Sequence, residues 1–340
     1  MEQNVNTRPV NKQRDVYTDA LKCLLILMVI RAHVASFGFG IQESFEHLSS
    51  YMQFSFRMPL FFFMSGYYSY KKSMTGSDIR RSIYTKFLYL ILPPLFFSIY
   101  DNLLNGAYIL NFINEGFGKY WFTITLFICF ILYYLLRIFL KSKIALSIGL
   151  LLFSGIGIGC LVFCDLEQMK YMELNRLAKD FQYFSFGIIA KMYYDKFVLF
   201  VTNQKVITLA TVGFFGLTAV MFRYHLPNAV HHFLQYLLLR YLASFVVFSV
   251  FFCNKERFQQ NTWINRLVIF VGRYTFPIYL LHYFFLPDLS HLRDTITNDI
   301  MLLNIIGYAY SIVILLVCLA FTWILTNSSL ISNYVLGHRK

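Results

Sequence analysis

Apolar residues in this chain fall in long blocks, not in the alternation of a strand or the narrow stripe of a soluble helix. The blocks predict helices near residues 16–38, 51–70, 82–101, 120–140, 144–164, 181–195, 205–222, 233–253, 267–287 and 302–325. Most have roughly the 20 apolar residues needed to cross about 30 Å of hydrocarbon. A segment inside lipid must satisfy its own backbone hydrogen bonds, which a helix does and an isolated strand does not. The block at 181–195 is the shortest, holds Gly187 and ends near Lys191, so a partly re-entrant segment is an alternative there. Pro93-Pro94 and Pro277 mark kinks or span ends, and no fixed-period repeat is present. The expected fold is all-α: a polytopic membrane bundle of about ten transmembrane helices at 16–325, one domain over 1–340, with tails at 1–15 and 326–340.

Composition agrees with this pattern. The chain is 58% hydrophobic and 14% charged, more apolar surface than a soluble fold is able to hide. The first block follows a polar, mixed-charge tail and lacks a small-residue cleavage site, so it is expected to stay as the first helix. The formal net charge of +13 is spread in short clusters between the blocks, which speaks against nucleic acid and for membrane orientation. With both termini cytoplasmic, nineteen Lys and Arg residues lie on the inner side, among them Arg8, Lys71, Arg81 and Arg137. Six lie outside: Lys119, Lys170, Arg176, Lys179, Arg223 and Arg293. The six cysteines form no CxxC pair, and although Cys160 and Cys164 share a helical face, all are read as small apolar residues without metal or disulfide.

Ionisable residues within spans are costly against lipid and are therefore candidates for function. They are Asp19, Lys22, Arg31, His33, Arg57, Lys86, Asp101, Arg240, Arg273 and His282. His33 follows Lys22 by eleven residues, about 16 Å along a helix and within about 20° of the same face. A cation at one end of a groove and an imidazole deeper within it suit an elongated ligand with phosphates at one end and a reactive group at the other. Arg57, Arg240 and His282 fall at a depth similar to His33, which predicts a water-accessible cavity around it. Blander readings compete: Lys22, Lys86 and Arg273 snorkel to the interface, His33 is structural, Asp19 ties its helix to a neighbour, and Trp121 is an interfacial aromatic.

Four stretches carry a resemblance. Asp19-Ala-Leu-Lys22, then His33, resembles the first-helix signature of the acyltransferase 3 family of integral membrane O-acyltransferases. Phe56-Arg57-Met58-Pro59 through Met64-Ser65-Gly66-Tyr67 resembles that family's second-helix motif. Tyr120-Trp121-Phe122 and the stretch Gly272 to His282, ending Ile278-Tyr279-Leu280-Leu281-His282, resemble later elements. Arg often stands in the family where this chain has Lys22, and Arg57 and Arg31 are also departures from its pattern. The carboxy-terminal esterase-like domain of some relatives is expected to be missing. The resemblance implies transfer of an acyl group, typically acetyl, from cytoplasmic acyl-CoA to a hydroxyl of a surface or lipid-linked glycan, in the inner membrane of a bacterium. Acetyl-CoA is then a donor substrate, with no tightly bound cofactor and no metal, and the partners are a glycan or glycolipid acceptor and the bilayer.

On these expectations Lys22, with Asp19 beside it, binds the donor phosphates and His33 is the general base, or else an acyl-histidine forms on it. Arg57 or His282 stabilises the oxyanion or positions the acceptor, and Ser65, Trp121, Arg240 and Tyr279 complete the substrate site. The rival reading is a transporter or flippase for a glycan or lipid intermediate, for which an internal repeat would speak.

Overall fold

The computed structural model describes residues 15–41, 48–104, 118–163, 174–224, 228–293, 300–328 and 336. Expectations for the tails, Lys170, Cys164 and the side chain of Asp101 lie outside the described residues. No strand occurs among them. In chain order the helices are α1 (Val16–His33), α2 (Leu48–Ser69), α3 (Gly76–Leu90), α4 (Leu92–Leu104), α5 (Trp121–Phe139), α6 (Lys143–Phe163) and α7 (Leu174–Met192). They continue as α8 (Tyr194–Val201), α9 (Gln204–Arg223), α10 (Asn228–Phe233), α11 (Arg240–Cys253), α12 (Lys255–Gln259), α13 (Trp263–Arg273), α14 (Thr275–Leu281) and α15 (Ile300–Leu325).

Each expected block is helical, yet the number of spans differs from the ten expected. Among the described residues seven helical stretches are long and apolar enough to cross a membrane. A bent pair, Trp263–Arg273 with Thr275–Phe285 at 62°, raises the number to eight if it counts as one. The two expected spans that fall short are α2 and α7. Both carry polar residues where a lipid-facing helix has none: Gln53, Ser55 and Arg57 on α2, and Asp180, Gln182 and Ser185 on α7, all buried. The reason is positional, because α2 and α7 pack against each other inside the bundle and are shielded from lipid by their neighbours. A Cβ on Gly66 would overlap the carbonyl oxygen of Phe184, and one on Gly187 would overlap that of Phe63, so the two backbones touch through reciprocal glycines. The seventh helix also starts earlier than the block at 181–195, at Leu174, and ends at Met192 with a break at Tyr193.

Around this pair three apolar clusters form. One joins the C-terminal half of α1 to α14 and α15 through Ile30, Val34, Ile278 and Cys318. A second joins α1 and α2 to α8, α9 and α11 through Leu21, Leu60, Phe197 and Phe248. The third joins α2 to α3, α5, α6 and α7 through Phe62, Cys129, Leu150 and Phe184. Burial grades from centre to rim: 56% of the apolar window of α1 is buried against 22% for α6 and for α9. The rim helices turn large apolar side chains outward, such as Leu151, Leu209 and Trp323, as a lipid-facing surface requires. Together these features define a multi-pass membrane protein.

Two helices change pitch where the polar residues gather. Past His33, the first helix widens into a π turn over Val34–Gly38, with Phe39 N–H bonded to Val34 O at 3.0 Å. A second π turn, Leu234–Leu239, leads directly into Arg240. Such turns shift the angular position of the residues at their borders and recur at functional sites.

Candidate active site

Three adjoining cavities run through the bundle along α1. The first, a vestibule of about 610 Å³, is lined by Lys22, Lys71, Arg81 and Lys86 together with Ser65 and Tyr89. It adjoins a neck of about 220 Å³, with which it shares Lys22, Phe61, Ser65, Leu90, Leu126 and Phe276. The neck in turn shares Val29, Met58, Phe122 and Tyr279 with a chamber of about 290 Å³ that contains His33. Lys22, Ile26, Val29 and His33, at helical steps of four, three and four, line these cavities in sequence.

Lys22 Nζ lies 3.5 Å from a carboxylate oxygen of the fully buried Asp19. The lysine remains 31% exposed at its side chain and faces the vestibule. The packing of α13 on α1 brings Gly272 against the backbone of Asp19 and sets Arg273 at the wall of the neck. Lys86 lies over the ring of Phe130, 4.2 Å from its centroid, and faces the vestibule. Arg31, by contrast, lies on another face of α1. Buried to 1% exposure, it donates to Ser50 Oγ at 3.1 Å and to Asn304 Oδ1 at 2.8 Å, so it ties α1 to α2 and α15 away from the chamber.

His33 is held by a second histidine. His282 is fully buried, and its Nδ1 lies 3.2 Å from the carbonyl oxygen of Ile278. A carbonyl only accepts, so that nitrogen carries the proton and His282 Nε2 has the lone pair. His33 Nδ1 is 2.7 Å from His282 Nε2 and must therefore be the donor. The rings lie 9° from parallel with centroids 5.0 Å apart. The relay fixes the tautomer of His33 and leaves its Nε2 with the lone pair. Tyr283 Oη stands 3.4 Å from that nitrogen and donates to Lys119 O at 2.9 Å. His282 does not line the chamber; it lies behind His33.

The other predicted residues distribute as follows. Arg57 and Arg240 both line the chamber, Arg57 donating to Met28 O at 3.1 Å and Arg240 lying 4.0 Å from Asp180. Trp121 forms chamber wall, with the Arg176 guanidinium 4.1 Å above its ring. Tyr279 borders neck and chamber and points its hydroxyl at Lys119 O, 3.3 Å away. Ser65 borders vestibule and neck, and its carbonyl accepts from Ser69 Oγ. Sequence reasoning missed Arg176, Lys179, Asp180, Tyr236 and Tyr283 in the chamber. Arg176, Lys179 and Asp180 sit at helical spacing, a signal hidden because that helix was expected to begin at 181. Lys71, Arg81 and Lys86 were accounted for as loop or snorkelling charges, and the vestibule they share with Lys22 became apparent only in three dimensions.

The passage thus runs from a basic mouth to the half-buried imidazole of His33. The family profile described as an acyltransferase domain matches residues 15–326, nearly the whole chain, and the protein belongs to this acyltransferase 3 family. It is a multi-pass membrane acyltransferase. No curated protein and no solved structure matches the chain significantly.

Proposed function

We propose that the protein transfers an acyl group, most simply acetyl, from acyl-CoA to a hydroxyl of a glycan or glycolipid, with both termini and the vestibule on the cytoplasmic side of a bacterial inner membrane. The observation that carries this reading is the run of cavities from a basic vestibule to the Nε2 of His33. Coenzyme A carries phosphates at one end and a thioester at the end of a long flexible arm. The four cations of the vestibule suit the phosphates. The neck, narrow and mostly apolar, suits the arm, and the acyl carbon arrives in the chamber.

In the reaction, His33 Nε2 takes the proton of the acceptor hydroxyl as its oxygen attacks the thioester carbonyl. The tetrahedral oxyanion forms beside the Arg57 guanidinium, whose charge stabilises it. The C–S bond then breaks, the proton on His33 passes to the leaving thiolate, and an ester and free coenzyme A result. His282 keeps the lone pair of His33 directed into the chamber, as the orienting member of a catalytic triad does. Direct transfer is the form with fewer steps; an acyl-histidine route would place the acyl group on the same Nε2 before the hydroxyl arrives.

The test compares wild type with His33→Ala in membranes given labelled acetyl-CoA and envelope glycan. Loss of transfer on the order of 10²–10⁴ is expected for removal of a general base, with coenzyme A binding retained as evidence of folding. Undiminished turnover by the folded variant would dismiss His33 as the base.

A further inference from the structure

Beside His33 in the chamber stands Tyr283, whose hydroxyl has two neighbours and a single hydrogen to share between them. Resting on the acyl-transfer reading above, we propose that Tyr283 is a positioning residue for that reaction: its phenolic oxygen is a ready-made acceptor for the hydrogen that His33 Nε2 takes from the attacking hydroxyl.

The phenol's own hydrogen goes to Lys119. Tyr283 Oη lies 2.9 Å from Lys119 O and 3.4 Å from His33 Nε2. The first distance is in the ordinary range for a hydroxyl donor and the second is beyond it, and a carbonyl only accepts. The oxygen therefore donates to Lys119 and turns lone pairs toward Nε2. That nitrogen is itself without hydrogen, because the bond to His282 places the His33 hydrogen on Nδ1. Two lone pairs thus face each other while His33 is neutral, and the contact gains nothing. Once the acceptor hydroxyl hands its hydrogen to Nε2, the same two atoms become donor and acceptor. An interaction that appears only as the proton moves stabilises the transition state over the ground state and so raises kcat. The hydrogen passes from the acceptor oxygen to Nε2 and on to the leaving sulfur, and Tyr283 neither gains nor loses one.

The surroundings fix the phenol for this task. Its ring stacks on His33, with centroids 4.8 Å apart and planes 28° from parallel, and lies 4.1 Å from the ring of His282. Tyr120 and Phe37 meet it in T-shaped contacts at 5.5 and 5.9 Å. The anchoring carbonyl belongs to the Gly118–Tyr120 turn just before α5, where Gly118 takes a φ of +46° that favours glycine. Tyr279 Oη donates to the same carbonyl at 3.3 Å. The face of the Tyr283 ring also lies against an imidazole that turns cationic, which favours the same state.

The experiment uses the full chain in lipid nanodiscs with labelled acetyl-CoA and envelope glycan. Tyr283→Phe keeps the ring and its stacking and removes the oxygen alone. We expect kcat to fall about 10–100-fold, the range for a hydrogen bond to a charged group, with both KM values within about twofold of wild type and the thermal midpoint unchanged. A fall in kcat that comes with raised KM and a lowered midpoint marks a packing role and overturns the proposal. A second variant, Tyr283→3-fluorotyrosine, keeps the hydroxyl but makes its oxygen a poorer acceptor and its hydrogen a better donor. It should lower kcat, by less than Phe does; an increase would show the phenol to be a donor and overturn the proposal. If His33→Ala abolishes turnover while Tyr283→Phe leaves kcat at the wild-type level, the role of Tyr283 falls and acyl transfer by His33 stands. Turnover that survives His33→Ala overturns both.

Discussion

At His33 one hydrogen bond decides which ring nitrogen is the base. Ile278 O takes the proton of His282 Nδ1, His282 Nε2 takes that of His33 Nδ1 at 2.7 Å, and His33 Nε2 is left with its lone pair. Replacing His282 with Phe keeps an aromatic ring but removes the acceptor. The account predicts a fall in kcat of about 10²–10³ with the donor KM unchanged, since an unoriented base loses much of the 10²–10⁴ that general base catalysis contributes. His282→Gln, which offers an amide oxygen, should recover part of the loss; a merely structural role would move donor KM and thermal stability along with kcat. Lys22 has the opposite signature. Lys22→Ala should raise the donor KM about tenfold, the equivalent of about 1.4 kcal/mol of phosphate binding, and leave kcat nearly unchanged. The spacing of Lys22 and His33 on one helix was legible in the sequence because periodicity alone determines it. The bond between His33 and His282 was not, because it joins residues 249 apart in the chain through the packing of α1 on α14.

Among the elements, α2 and α7 pack together inside the bundle and bring Arg57, Arg176, Lys179 and Asp180 to the chamber that His33 of α1 faces. Their buried polar residues, Gln53, Ser55 and Arg57 on α2 and Asp180, Gln182 and Ser185 on α7, follow from their central place. The reciprocal contact of Gly66 and Gly187 sets their spacing, and with it the distance from Arg57 on α2 to Arg176 and Asp180 on α7. Gly187→Leu must push the helices apart, with an expected destabilisation of about 1–3 kcal/mol and loss of transfer. Thermal unfolding in detergent, measured beside activity, checks both. The existence and order of the helices were legible from apolar blocks, since each block is a local property of the chain. The start of α7 was not, because Arg176, Lys179 and Asp180 look like a polar loop until they are seen to face a cavity and not lipid. The π turns beside His33 and Arg240 left no recognisable mark in composition.

Across the whole molecule, the claim is that one passage joins the cations of the vestibule to the imidazole of the chamber. Met58 and Phe122 border both neck and chamber, where the passage is most easily closed. Met58→Trp should leave coenzyme A binding within about twofold and reduce transfer by at least tenfold, as expected when the phosphate site is spared and the reactive end is held back. A transporter reading would instead place the fate of the variant in flux of unmodified substrate, which vesicle uptake measures. The most direct measurement is an experimental structure of the protein with a non-hydrolysable acetyl-CoA analogue bound. The account predicts phosphates against Lys22, Lys71, Arg81 and Lys86, the arm threading the neck past Met58, and the acyl carbonyl in the chamber beside His33 Nε2. An analogue whose acyl end stays in the vestibule, or turns out toward lipid, would contradict it.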